Sequence, residues 1–160
     1  MGAKRGRGTN RKRRQKMVID MKIMICGSMS FIKNIVKIQK ELEKLGHEAV
    51  IPHGTQPHQK DSKFVDNLEG NLKFVVQNNV MKRNFDLVAK SDAILVVNNR
   101  KNGVDGYIGV SVLMEMAIAH HLNKKIFVLN KIPHFREERW AHEVMIMQPV
   151  IVNGDLSKIK

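Results

Sequence analysis

Met21-Lys-Ile-Met-Ile-Cys-Gly-Ser-Met-Ser30, then Phe31, Ile35, Ile38, Leu42 and Leu45 at steps of four, three, four and three, then Gly46-His-Glu-Ala-Val-Ile51, decides the fold class. The apolar run Lys22–Cys26 reads as a buried strand, and the stepped residues line one face of a helix. Ser28 or Ser30 can cap that helix, and Gly46 suits the left-handed position just past its end. His47–Ile51, closed by Pro52, is a second strand. Strand, helix and strand in this order form the unit from which α/β domains with a largely parallel sheet are built.

The alternation continues outward from that unit. Residues 52–61, Pro-His-Gly-Thr-Gln-Pro-His-Gln-Lys-Asp, read as a polar loop. A long helical stretch is expected from Ser62 to Lys90, with Gly70 and Asn78-Asn79 as candidate breaks. Ala93–Val97 is a third strand and Lys125–Leu129 a fourth. Between them lie a loop carrying Gly103, Gly106 and Gly109 and an apolar helix running to Ala119. Residues 134–147 read as helical, and Pro149–Val152 as a fifth strand. Residues 21–160 are thus expected to form one domain.

Composition narrows the classes. The chain has 160 residues, 42% of them hydrophobic, enough for one sizeable core. Its single cysteine, Cys26, excludes a disulfide framework and a thiolate zinc site, and its apolar neighbours make it a small buried hydrophobe. No secretory signal is apparent, and the longest near-apolar run is well short of the roughly 20 residues that span a bilayer. A reducing, cytoplasmic setting follows, with no membrane partner. The net charge is +13, from 28 basic and 15 acidic residues. Eight of those basic residues lie in positions 1–16, which contain no acid, leaving 20 against 15, or +5, for the remainder. Residues 1–20 are accordingly expected to be a disordered basic arm, and residues 4–16 a contact for RNA or another polyanion through phosphate interactions.

Glu115 is the residue that points to chemistry. It is the only charged residue in the run Ile108–Ala119. Burying an ionised carboxylate costs several kcal/mol unless it is compensated. Glu115 therefore either faces a cleft and acts there, or is paired with a cation in the interior. Its place near the start of a helix favours the ionised form through the helix dipole. An ionised carboxylate is a competent nucleophile toward an anomeric carbon, whose transition state is cation-like. In open α/β sheets ligands bind beyond the carboxyl ends of the strands, which here are followed by Gly27–Ser30, Asn98–Gly109 and Asn130–His134. The turn Cys26-Gly-Ser-Met-Ser30 offers free backbone N–H groups and two hydroxyls to an anion. His53, His58, His120, His121, His134 and His142 show no metal-ligand spacing, so no metal is expected and surface or capping roles account for most of them. Neither a nucleoside-triphosphate loop nor a dinucleotide fingerprint occurs.

Ser91-Asp-Ala-Ile-Leu-Val-Val-Asn98, the Gly-rich loop, Glu115-Met-Ala-Ile-Ala119 and Lys124-Lys-Ile-Phe-Val-Leu129 together resemble the nucleoside 2-deoxyribosyltransferase superfamily. Within it the 2′-deoxynucleoside 5′-monophosphate N-glycosidases are the closer likeness, sharing a strand that ends Cys-Gly-Ser, as Cys26-Gly27-Ser28 does here. The resemblance spans Met21 to Leu129. It implies a flavodoxin/Rossmann-like three-layer sandwich with a mainly parallel sheet of about five strands, in a homodimer or larger homo-oligomer with sites near subunit boundaries. It implies cleavage or exchange of the N-glycosidic bond of a nucleoside or nucleotide, with Glu115 as the nucleophile at C1′ and no cofactor. Gly27, Ser28 and Ser30 would approach sugar or phosphate, and Ser111 would assist with phosphate. Asn98 and Tyr107, in the loop after the third strand, complete the expected substrate contacts. Asn84 stands where the family has an aspartate, eight residues before Asp92. An amide cannot deliver that proton, so Asp86, two residues on, is the alternative acid. A nucleotide- or RNA-binding protein that keeps the fold without turnover is the competing expectation.

Overall fold

The computed structural model describes residues 20–160; the expected basic arm and its RNA contact at 4–16 lie outside the described residues. Five strands form one all-parallel sheet, in the order β2-β1-β3-β4-β5. They are β1 Lys22–Gly27, β2 Glu48–Val50, β3 Ala93–Val97, β4 Lys125–Val128 and β5 Val150–Ile151. Helices cover both faces, giving the flavodoxin/Rossmann-like three-layer architecture expected from the sequence. The chain reverses direction across the sheet between β1 and β3, the point where such folds open a ligand crevice.

The pleat sorts the strand residues between two cores. Ile23, Ile25, Ala93, Leu95, Val97 and Phe127 face α1, Ile32–Lys44, through its inward residues Ile35, Ile38 and Leu42. Met24, Cys26, Ile94, Val96 and Val128 face the other layer. That layer holds α4 Val80–Ala89, α5 Val110–His121 and α6 Ala141–Ile146. Alternate residues of β1 thus point to opposite layers, which places Cys26 beneath α5.

Local chemistry explains most boundaries. Ser28 Oγ accepts from Ser30 N at 3.3 Å and opens a 3₁₀ turn, Met29–Phe31, that runs into α1. Gly46, at φ +100°, ends α1 while the N–H of His47 returns to the Leu42 carbonyl. Asn79, at φ 51°, separates α3 Leu68–Gln77 from α4, as the Asn78-Asn79 pair predicts. Gly70 breaks nothing; it lies in the first turn of α3, where its N–H donates to the capping Asn67 Oδ1 at 3.0 Å. The expected loop 52–61 contains a short helix, α2 Gln56–Lys60, whose proline sits in the first turn, where no N–H is needed. The expected helix 134–147 contracts to α6, because residues 135–137 and 139–140 form turns instead.

Candidate active site

α5 is apolar on nearly every side, and its inward stripe is Val112, Glu115, Met116 and Ala119. The spacing of three and four carries Glu115 into the same buried face as the hydrophobic residues around it. Its exposure is only 6%. Among the described residues no Lys, Arg or His forms an ion pair with it. A polar neighbour is Cys26, fully buried near the end of β1, whose thiol favours the ionised form of the carboxyl. Burial without a cation pushes Glu115 up to about 7, with the Cys26 thiol pulling weakly the other way. Desolvation therefore outweighs the helix dipole that the sequence suggested would keep it ionised. The same burial, together with the neighbouring Glu115, pushes the Cys26 thiol well up, so the neutral thiol is the form present.

Glu115 lines a cleft of about 150 Å³ between α3, α4, α5 and the loop before α2. Val75, Val80, Phe85 and Met114 give it apolar walls. Ser111, one helical turn before Glu115 on the same helix, lines it too. So does Asn84, 8% exposed, whose Oδ1 accepts from the backbone N of His53 at 2.7 Å. The cleft therefore unites Glu115, Asn84 and Ser111 of the expected set.

It also contains two of the histidines, most of which were expected to have surface or capping roles. His53 Nδ1 lies 3.1 Å from Arg83 Nη2. A guanidinium can only donate, so Nδ1 accepts and the ring proton sits on Nε2. Burial, then the charges of Arg83 and Lys90, hold His53 below its ordinary value. His58 is 5% exposed, with Nε2 3.3 Å from Asn71 Nδ2 and Nδ1 without a partner among the described residues. Burial lowers it as well, so both rings are neutral at pH 7. The signal available in the sequence was their spacing of five within one loop, which reads as polar surface until α3 folds over it.

The other expected residues are elsewhere. Asp86 is an exposed residue of α4, its carboxylate 3.0 Å from Lys82 Nζ one turn back on the same helix, so it is not the acid of this cleft. Asn98 is fully buried and consumed structurally. It accepts from Asn130 N at 2.8 Å and donates to the Asn130 carbonyl at 3.0 Å, tying the ends of β3 and β4 together instead of binding substrate. Tyr107 packs against the α1 core, on the opposite face of the sheet from Glu115, with Lys101 Nζ 5.5 Å from its ring centre. Ser28 accepts from Lys101 Nζ at 2.9 Å. Gly27 closes β1 against Val97, where a Cβ would meet the Val97 carbonyl oxygen at 3.1 Å. Ser30 lines a separate hollow of about 730 Å³ that shares Met29 and His58 with the Glu115 cleft. A larger hollow, about 770 Å³ near residues 131–138, holds none of the expected residues.

Among the described residues no cluster of His, Cys, Asp or Glu has the makings of a metal site, and no helix is long and apolar enough to cross a membrane. Comparison of the chain with models of known protein families, and with curated proteins, finds no match.

Proposed function

We propose that the protein cleaves or exchanges the N-glycosidic bond of a (deoxy)nucleoside or its 5′-monophosphate through a glycosyl ester on Glu115. The observation that carries this reading is a buried carboxyl with no cation partner among the described residues, opening onto a cleft beside the end of β1. In that apolar setting the ionised carboxylate is poorly solvated and gains most where positive charge develops, as at C1′ of a departing nucleoside. A Glu115 oxygen bonds to C1′, the C1′–N bond breaks, and its electron pair leaves with the base. Water, or the nitrogen of a second base, then attacks C1′ and frees the carboxylate. Water gives hydrolysis and a base gives transfer, and neither step needs a cofactor.

The reading includes a homo-oligomer. A cleft of about 150 Å³ is smaller than the roughly 300–1,000 Å³ of usual small-molecule sites. Beside it α3 exposes an apolar stripe at one-turn spacing, Leu68, Leu72 and Val76, each at least 65% exposed. A second copy seated there would cover the stripe and wall the cleft.

The test is a panel of deoxynucleosides, ribonucleosides and their 5′-monophosphates, read by released base. Release that disappears in Glu115→Gln supports the proposal. No release from any member, with RNA binding that weakens steeply in salt and is lost on deleting residues 1–16, supports a non-catalytic binding protein instead.

A further inference from the structure

We infer that Asn84 is the residue that selects the leaving base, presenting only hydrogen-bond donors to the cleft and so favouring an oxo group over an exocyclic amino group. This inference rests on the N-glycosidic reading above.

An asparagine side chain can ordinarily turn either its oxygen or its nitrogen toward a ligand. Here the choice is made by the backbone. The His53 N–H is a donor and nothing else, so the atom 2.7 Å from it must be the Asn84 oxygen. Turning the amide over would bring two donors together and strand a buried N–H. The remaining end, Nδ2, has no acceptor among the described residues, and Asn84 itself lines the cleft with Glu115.

The neighbouring polar group reinforces the pattern. His53 accepts from Arg83 through Nδ1 and keeps its proton on Nε2. That corner of the cleft therefore holds a fixed amide donor, beside a ring whose Nε2 can only donate. A base carrying a carbonyl there finds partners; a base carrying an amino group meets donor against donor and loses its water without replacement. The same donors would stabilise the negative charge that the leaving base takes up as the C1′–N bond breaks. That places Asn84 in the path of the departing electron pair without requiring it to surrender a proton.

The experiment compares pairs in which an oxo group beside a ring N–H is exchanged for an amino group beside a ring acceptor, 2′-deoxyuridine with 2′-deoxycytidine and 2′-deoxyinosine with 2′-deoxyadenosine, each as nucleoside and 5′-monophosphate. Two readouts are taken: kcat/KM for base release by the unsubstituted protein, and calorimetric affinity in Glu115→Gln. The oxo member of each pair is expected to be favoured by about tenfold in both. In Asn84→Asp one carboxylate oxygen still accepts from His53 N while the other faces the cleft as an acceptor, so the order reverses. Asn84→Ala narrows the preference in both pairs. Equal values within the pairs, or an order unchanged in Asn84→Asp, overturn the inference while leaving Glu115-dependent base release standing. Absence of both binding and base release across all eight compounds overturns the glycosidic reading and this inference with it.

Discussion

Glu115 carries two opposed demands. As a nucleophile it must be ionised, while its burial, with no cation paired to it among the described residues, holds it at about 7. Base release should therefore fall about tenfold for each pH unit below 7, and kcat/KM measured from pH 5 to 8 would show it. A profile flat across that range would remove Glu115 from the chemistry. The same shift has a stability consequence of definite sign. The folded protein binds this proton more tightly than the unfolded chain, whose value is near 4.5. The associated stability is full below 4.5 and is lost as pH rises through 7. Glu115→Gln should accordingly raise the melting temperature at pH 8, by up to roughly 3 kcal/mol of stability, and change little at pH 4. That an unaccompanied acid in an apolar run is unusual was legible in the residue types alone. Its raised value was not, because desolvation depends on what α3 and α4 place above it.

At the scale of elements, the strands were the readable part and the loops between them were not. Ala93–Val97 is a run of five buried apolar residues, with Ser91-Asp92 before it and Asn98 after it to mark its ends. Asn98 looked like a ligand because it ends a strand at the expected cleft, whereas its amide is spent on the Asn130 backbone. Asn98→Ala leaves a buried N–H and a carbonyl unpaired, so a loss of about 2–4 kcal/mol is expected in urea denaturation, with the Glu115 cleft unaltered in ligand affinity for what remains folded. Asp86 failed for a simpler reason. It follows the buried Asn84 by two residues, and on a helix a step of two points a side chain away from its neighbour's face. Lys82, four residues back, then takes its carboxylate.

For the whole molecule, the proposed homo-oligomer makes the most exposed prediction. Leu72 is 65% exposed, so Leu72→Glu should leave the fold intact. It should convert an oligomer into an 18.3 kDa monomer in sedimentation velocity and depress base release with it. A fully active monomer of the unsubstituted chain would end that proposal. By itself the sequence determined the parallel α/β plan, because the alternation of strand and helix periods, each bounded by Gly, Asn or Ser, is local information. It also fixed Glu115 as the anomalous acid. The tertiary structure alone decided which polar groups meet that acid. His53 and His58, in the loop before α2 and in α2 itself, lie roughly 30 residues from Asn84 in the chain, and only the packing of α3, α4 and α5 beyond the end of β1 brings them into one cleft. Tyr107 and Asn98 are closer to Glu115 in sequence, yet packing assigns one to the opposite face of the sheet and the other to its interior. Contact across layers depends on strand order and pleat, and neither is written in the spacing of residues along the chain.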